Sequence, residues 1–374
     1  MRCSPTLGAL AAFVLNTALV GAVQATLPRI PHAGPVTLTD IRMVTPRIGW
    51  ATTTHAVLRS ADGGEHWHVV TPPGFSSTNE AHQFLDASTA WVATAHANNT
   101  VTLAHTSDGG HHWRLSLLSV PGSPLGSFPL QIDFVPPREG WLLLLGDSMF
   151  STARALFHTT DGGEHWSLIA RHPPISGLLG FLDGRTGWGT AQHAGGIPAN
   201  SNGTHTIYIT HDSGRQWYVQ TLPRLPGYEN SLAVFTPTVT LGAVSHSVLP
   251  MVLFFTARPR LTAVVLYSTP DRGRTWLASR PRAVGSATSL VSMAVVDARY
   301  AWVIGSGTLY GAQDGGRYWQ VIKSATPLSD IGVLDFVTPR EGFALQGHMN
   351  DGFPTLIHTA DGGRTWRVIG FVVS

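Results

Sequence analysis

Ser60-Ala61-Asp62-Gly63-Gly64-Glu65-His66-Trp67 sets a pattern that this chain of 374 residues repeats seven times: Ser or Thr, any residue, Asp, any residue, Gly, two more residues and Trp. After Asp62, Gly64 and Trp67 come Asp108, Gly110 and Trp113; Asp161, Gly163 and Trp166; and Asp212, Gly214 and Trp217. The last three copies hold Asp271, Gly273 and Trp276; Asp314, Gly316 and Trp319; and Asp361, Gly363 and Trp366. Only the sixth copy lacks the leading hydroxyl, opening on Ala312. Successive Asp residues lie 46, 53, 51, 59, 43 and 47 positions apart, and such a period in a Trp- and Gly-rich chain reads as the blades of a propeller.

Composition agrees with an all-β reading. Gly (40) and Pro (25) are abundant and charged residues make up only 12%, which suits turn-dense β structure. The 24 basic residues against 22 acidic ones are nearly all Arg, with Lys323 the single lysine. So small an excess does not mark a nucleic-acid binder. Although the length would allow two domains, the repeat spans the chain from Ile41 onward, so we expect one domain over residues 26–374.

The first 25 residues have the layout of an export signal. Arg2 supplies a short basic region, Leu7 to Val23 an apolar run, and Val23-Gln24-Ala25 a small-residue cleavage site. The alternative is an uncleaved anchor, the one way in which a membrane would enter the account. Cys3 is the only cysteine, so the exported part is expected to carry no disulfide.

Within the first repeat, alternation and turn residues mark four strands, A to D, over residues 40–45, 49–51, 55–60 and 66–70. The Asp motif is the C–D turn. Its carboxylate accepts backbone N–H groups, its hydroxyl bonds locally, and its Gly takes a backbone angle that other residues resist. The Trp opens strand D, and burying it is worth roughly 4–6 kcal/mol before entropy is subtracted. We therefore assign the motif residues to structure.

A second signature marks strand B in six repeats: Gly49-Trp50, Ala90-Trp91, Gly140-Trp141, Gly187-Trp188, Ala301-Trp302 and Gly342-Phe343. The fifth repeat lacks it, and Val248 to Phe255 is the candidate there. The expected blades are about 40–71, 78–119, 127–170, 175–222, 230–280, 285–324 and 330–370. Either Pro35 to Thr39 or Phe371 to Ser374 adds an edge strand where the ring closes.

Antiparallel order puts the A–B and C–D connections on one face and the B–C and D–A connections on the other. From the strand B aromatic to the following Asp the chain spans 12, 17, 20, 24, 12 and 18 residues, so length variation collects in the B–C loops. Variable loops on a rigid ring are where binding sites gather. That face offers His96, Asn98, Asn99, Asp147, Arg154, Gln192, His193, Asn202, His348, Asn350 and Asp351. The densest group is Arg258 and Arg260 in the fifth B–C loop with Arg280 and Arg282 in the connection that leaves the same blade. Four guanidinium groups there would suit an anion or an acidic protein. On the other face, Arg47, Arg138, Arg185, Arg299 and Arg340 each precede the strand B aromatic by three residues, where stacking on that ring or bonding to the neighbouring Asp turn is the expected role.

Catalytic patterns are incomplete. His111-His112 is the nearest approach to a metal motif, but adjacent strand residues face opposite ways, and we expect no metal and no cofactor. His66, His112 and His165 precede the motif Trp and read as turn residues. Asn98-Asn99-Thr100 and Asn202-Gly203-Thr204 match the glycosylation pattern.

The motif resembles the Asp-box, or bacterial neuraminidase repeat, and Val337-Thr338-Pro339-Arg340-Glu341-Gly342-Phe343 through Trp366 is similar to the unit of the photosystem II stability/assembly factor family. That resemblance implies a seven-bladed propeller of four-stranded antiparallel blades that acts as a non-enzymatic assembly chaperone. A more distant likeness to the sialidase superfamily rests on Leu27-Pro28-Arg29-Ile30-Pro31 and implies a glycoside hydrolase. An aromatic residue before Arg29 is missing, and Tyr228-Glu229 are sequence neighbours rather than a separately delivered pair. A hydrolase needs two carboxylates across a cleft, for which Asp147, Glu229 and Asp351 are the candidates. The expectation is an exported, monomeric binding scaffold with no catalysis of its own, whose partner is a protein or, second, a glycan; a sialidase- or xyloglucanase-type hydrolase is the alternative.

Overall fold

The structure is a computed structural model. It describes residues 36–75, 80–96, 99–119, 128–135, 138–145, 154–190, 197–198, 206–226, 231–234, 248–255, 261–286, 291–348 and 352–374. The export signal, Cys3 and the Arg29 element lie outside these residues.

Seven antiparallel sheets form seven blades, each running A to D from the ring's centre outward. Blade one has strands Asp40–Met43, Gly49–Thr52, Val57–Ser60 and His66–Val69, matching the strands read from the first repeat. The A strands of the other blades are Glu80–Phe84, Phe128–Val135, Leu179–Phe181, Ser231–Val234, Val291–Val295 and Ile331–Phe336. In blade five, Val248–Phe255 pairs with Ser231–Val234 on one side and Leu261–Ser268 on the other, so it is strand B despite lacking Gly-Trp. Its outer strand comes in two pieces, Leu277–Ala278 and Arg282–Ser286, and extends past the expected boundary at residue 280. The break has a local cause: Ser279 Oγ takes the place of a backbone partner for the Leu266 N–H at 2.9 Å, and the strand resumes one residue out of register.

The Gly-Trp signature has a packing origin. At Gly49, Gly140, Gly187 and Gly342 a methyl group would collide with a residue at the end of strand A, respectively Met43, Phe134, Phe181 and Phe336. In four blades the strand B Trp, after Gly or Ala, lies flat on the strand A aromatic of the following blade. Trp50 stacks on Phe84 (5.3 Å), Trp91 on Phe134 (3.8 Å), Trp141 on Phe181 (3.5 Å) and Trp302 on Phe336 (4.0 Å). Three of those phenyl rings meet the motif Trp of their own blade edge-on: Phe134 with Trp166, Phe181 with Trp217 and Phe336 with Trp366. Each junction is thus a three-ring stack, the offset and edge-to-face geometry that aromatic quadrupoles favour.

Side chains of strand A tie the blades together around the axis. Gln83 accepts the Phe134 N–H and donates to its carbonyl, Asp133 accepts the Phe181 N–H at 2.7 Å, and Asp335 of blade seven reaches Arg42 and the Met43 N–H of blade one. Ring closure is completed outside by the C-terminal residues: Val372–Val373 lies parallel to His66–Val69 as a fifth strand of blade one. Of the two expected edge segments, Phe371 to Ser374 therefore supplies it.

Candidate functional site

The seven motif turns come first because they are the most regular feature of the chain. In blade one, Ser60 donates its hydroxyl to Asp62 Oδ1 (2.9 Å) and accepts the Gly64 N–H (3.0 Å), while Asp62 accepts the His66 N–H (3.0 Å) and meets His66 Nδ1 (2.7 Å). Thr106, Thr159, Thr210, Thr269 and Thr359 reproduce the hydroxyl bonds. His112 and His165 repeat the role of His66, and Thr275 and Thr365 play it with a hydroxyl. The second Gly has φ between +79° (Gly273) and +97° (Gly163), where other residues are strained. Slight burial works against ionisation of Asp62, Asp108 and Asp361, yet these local donors outweigh it and hold each carboxyl at about 2. A carboxylate so fully engaged by its own turn is a structural group.

The recurrent arginines of this face act through their backbone. The carbonyls of Arg47, Arg138, Arg185, Arg299 and Arg340 accept the N–H of Gly63, Gly162, Ser213, Gly315 and Gly362 in the Asp turn of the same blade. In blade two the carbonyl of Ser88 does the same for Gly109, so no guanidinium is needed. The expected bond to the turn exists, made by main chain, while all five side chains are exposed. The ring position over the strand B aromatic belongs instead to strand C, where Arg59 lies 5.8 Å from Trp50, His105 4.8 Å from Trp91, His158 4.9 Å from Trp141 and His358 4.7 Å from Phe343. Glu139 and Glu341 hold the last two histidines at 2.5 and 2.7 Å.

On the variable face, His96 bonds Thr102 at 2.8 Å and Asn99 occupies the left-handed region with φ 58°. Arg154 donates to the Pro173 carbonyl at 3.4 Å. The blade-four loop contributes Ile197–Pro198, which pairs with Ser231–Val234, the innermost strand of blade five. Asn98, Asp147, Gln192, His193, Asn202, Tyr228, Glu229, Asn350 and Asp351 lie outside the described residues, as does the side chain of His348.

Of the four clustered arginines, Arg258 and Arg260 lie outside the described residues. Arg282 opens the second piece of the outer strand of blade five, Arg282–Ser286, rather than lying in a connection that leaves the blade, and Arg280 lies in the break between the two pieces. Both reach across to blade six. The guanidinium carbon of Arg282 is 4.6 Å from the ring centre of Tyr310, and that of Arg280 is 5.6 Å from that of Tyr318. Neither tyrosine carries a sequence signal, since each meets its arginine only once two blades pack side by side.

Two inner clusters also escape a sequence reading. His82 sits between Glu80 (3.0 Å) and Asp40 (3.2 Å) at the junction of blades one and two. Burial alone would push its pKa down, but Glu80 and Asp40 outweigh it and raise the pKa to about 10. Asp335 is fully buried, and desolvation pushes its carboxyl up against the opposing charge of Arg42. Among the described residues one group, Asp161, Glu164 and His165, has candidate ligand atoms that all lie within 4.8 Å of one another, and these are engaged in the Asp161–His165 contact and the Glu164–Arg114 pair.

No family model matches the chain. The photosystem II assembly protein Ycf48 of Synechococcus sp. (strain JA-2-3B'a(2-13)) is 25% identical over 308 residues, which cover 80% of each chain. A solved structure of YCF48 bound to D1 peptide superposes with a TM-score of 0.51 at 18% identity, covering 89% of this chain and 95% of that one. YCF48 from Cyanidioschyzon merolae gives 0.52 at 17% identity over 88% and 97% of the two chains. A hypothetical selenium-binding protein from Sulfolobus tokodaii also reaches 0.52, at 9% identity, so superposition at this level speaks for the fold alone. Sequence and fold together make the chain a seven-bladed propeller similar to the photosystem II assembly factor family.

Proposed function

We propose that this protein is an exported, non-enzymatic propeller that binds a protein partner and assists its assembly, as Ycf48 does for photosystem II. The observation that carries the reading is the similarity to Ycf48 across 80% of both chains. It spans most of the repeat array, as expected of two propellers that share a scaffold. A related propeller bound to a D1 peptide supports a polypeptide as the ligand. Export rests on Arg2, the apolar run from Leu7 to Val23 and the site after Ala25.

Peptides tiled across the D1 subunit, titrated against the purified propeller, test the reading. Saturable binding of one or more tiles is expected. Absence of binding by every tile, together with turnover of a fluorogenic sialoside or aryl glycoside that is lost on substituting Asp147, Glu229 or Asp351, overturns it in favour of a hydrolase.

A further inference from the structure

The junction between the outer strands of blades five and six holds buried donors without a partner among the described residues. Arg282 Nε and Trp319 Nε1 are both buried there without a hydrogen-bond partner. An N–H withdrawn from water without an acceptor costs free energy. Arg282 and Arg280 are each held over a tyrosine ring of the next blade. Such stacking fixes the plane of a guanidinium while leaving its terminal Nη groups to meet a carboxylate in a two-pronged pair. No described carboxylate lies within ion-pair distance of either arginine. On the same two outer edges, Leu277 (56%), Tyr318 (64%) and Val321 (51%) are large side chains left exposed.

Spacing narrows what would fit. Arg280, in the break of the outer strand, and Arg282, the first residue of its second piece, are two residues apart with Pro281 between them, and both turn to blade six. On an extended chain, residues two apart point to one side about 6.5–7 Å from each other. An extended segment with acidic residues at alternate positions repeats that distance.

We propose that the groove between blades five and six, built on Arg280, Arg282, Tyr310, Tyr318 and Trp319, binds an extended acidic segment of a partner protein through carboxylates two residues apart. The inference rests on the protein-binding reading and adds the surface and the chemistry of the partner. One carboxylate pairs with each arginine. The exposed Leu277 and Val321 cover the flanks of the segment.

Two fluorescein-labelled decapeptides of equal charge provide the test, one alternating Glu with Ser and one, the block peptide, reading Glu-Glu-Ser-Ser-Glu-Glu-Ser-Ser-Glu-Ser, in which no two Glu are two residues apart, measured by anisotropy against the full-length protein. The alternating peptide should bind at least fivefold tighter. Arg280→Ala should weaken it about fivefold and leave the block peptide unchanged, while Arg282→Lys, which keeps charge and stem but loses Nε, should weaken it comparably. Arg47→Ala with Arg340→Ala, on the other face, should have no effect. Thermal melts confirm that each variant folds, and the exposed Arg280 gives a variant insensitive to packing. Equal binding of the two peptides, an unchanged affinity in Arg280→Ala, or inorganic phosphate competing as tightly as the alternating peptide would each overturn the proposal. D1 tiles that bind equally well to Arg280→Ala would sink the groove while leaving the wider reading intact.

Discussion

Asp335 in the last blade holds Arg42 in the first: Oδ1 accepts from Arg42 Nη1 at 2.8 Å, and Oδ2 accepts the neighbouring Met43 N–H at 2.6 Å. Both side chains are almost wholly buried, and residues 293 positions apart in sequence are joined where the ring must close. Removing one partner of such a pair strands a charge in the interior. Asp335→Ala is therefore expected to lower unfolding free energy by about 3–5 kcal/mol in urea titrations, whereas Asp335→Leu combined with Arg42→Met costs clearly less. Equal losses in the single and double variants would show that the pair does not couple the two blades.

His82 makes the blade one–two junction sensitive to alkali. Its pKa is about 10 in the folded protein and near 6.5 when unfolded. A raised folded pKa means that its stabilising contribution is complete below about pH 6.5 and fades as pH climbs through 10. Urea midpoints measured from pH 6 to 10 should decline in the wild type and decline less in His82→Phe. Identical slopes would mean that Glu80 and Asp40 do not hold the proton on His82.

The turn carboxylates work in the opposite direction. Asp62, Asp108 and Asp361 titrate at about 2 in the fold, below the ordinary Asp value of 3.8. Their contribution is complete above about pH 4 and is lost as pH falls towards 2. A triple Asn variant should show a flatter dependence of melting temperature between pH 4 and 2 than the wild type. An unchanged slope would place the acid sensitivity elsewhere.

The sixth turn is the one that the sequence leaves incomplete. With Ala312 in place of Ser or Thr, the hydroxyl that elsewhere bridges the turn Asp and the second Gly is absent, although Tyr318 N–H still reaches Asp314 at 3.1 Å. Ala312→Ser restores the arrangement of Ser60 and is expected to stabilise the protein by about 0.5–1.5 kcal/mol. Thr159→Ala, the reverse change in blade three, should cost about 1–3 kcal/mol because the Gly163 N–H loses its acceptor. Calorimetry on both variants checks the sign of each.

What was legible in the sequence was what is local. An Asp turn uses eight consecutive residues, so its chemistry and period reveal seven blades directly, and Gly-Trp pairs mark strand B because the collision they avoid involves the adjacent strand. The partners of those tryptophans were not legible: Phe84, Phe134, Phe181 and Phe336 belong to the next blade and carry no motif of their own. The same holds for the candidate site. Arg280 and Arg282 stood out as charge, but Tyr310 and Tyr318, which orient them, are set only by the packing of two sheets. The arginines before strand B were expected to stack on the aromatic or bond the Asp turn, and the bond that recurs is made by a carbonyl, as Ser88 demonstrates.

The C-terminal strand offers the sharpest test of how the ring is held. Three backbone bonds attach it to blade one: Val372 N–H to the Glu65 carbonyl (2.9 Å), Ser374 N–H to the Trp67 carbonyl (2.9 Å) and Val69 N–H to the Ser374 carbonyl (3.0 Å). Ser374 Oγ also meets His68 Nδ1 at 2.9 Å. At about 0.5–1.5 kcal/mol for each backbone bond, deleting Phe371 to Ser374 should cost roughly 2–4 kcal/mol. The loss is spatially defined, because the inner tie between Asp335 and Arg42 is untouched. Hydrogen exchange at the Val69 amide should therefore accelerate in the truncated protein while the Met43 amide, held by Asp335, stays protected. Faster exchange at both would mean that the outer strand, and not the buried ion pair, keeps the first and last blades together.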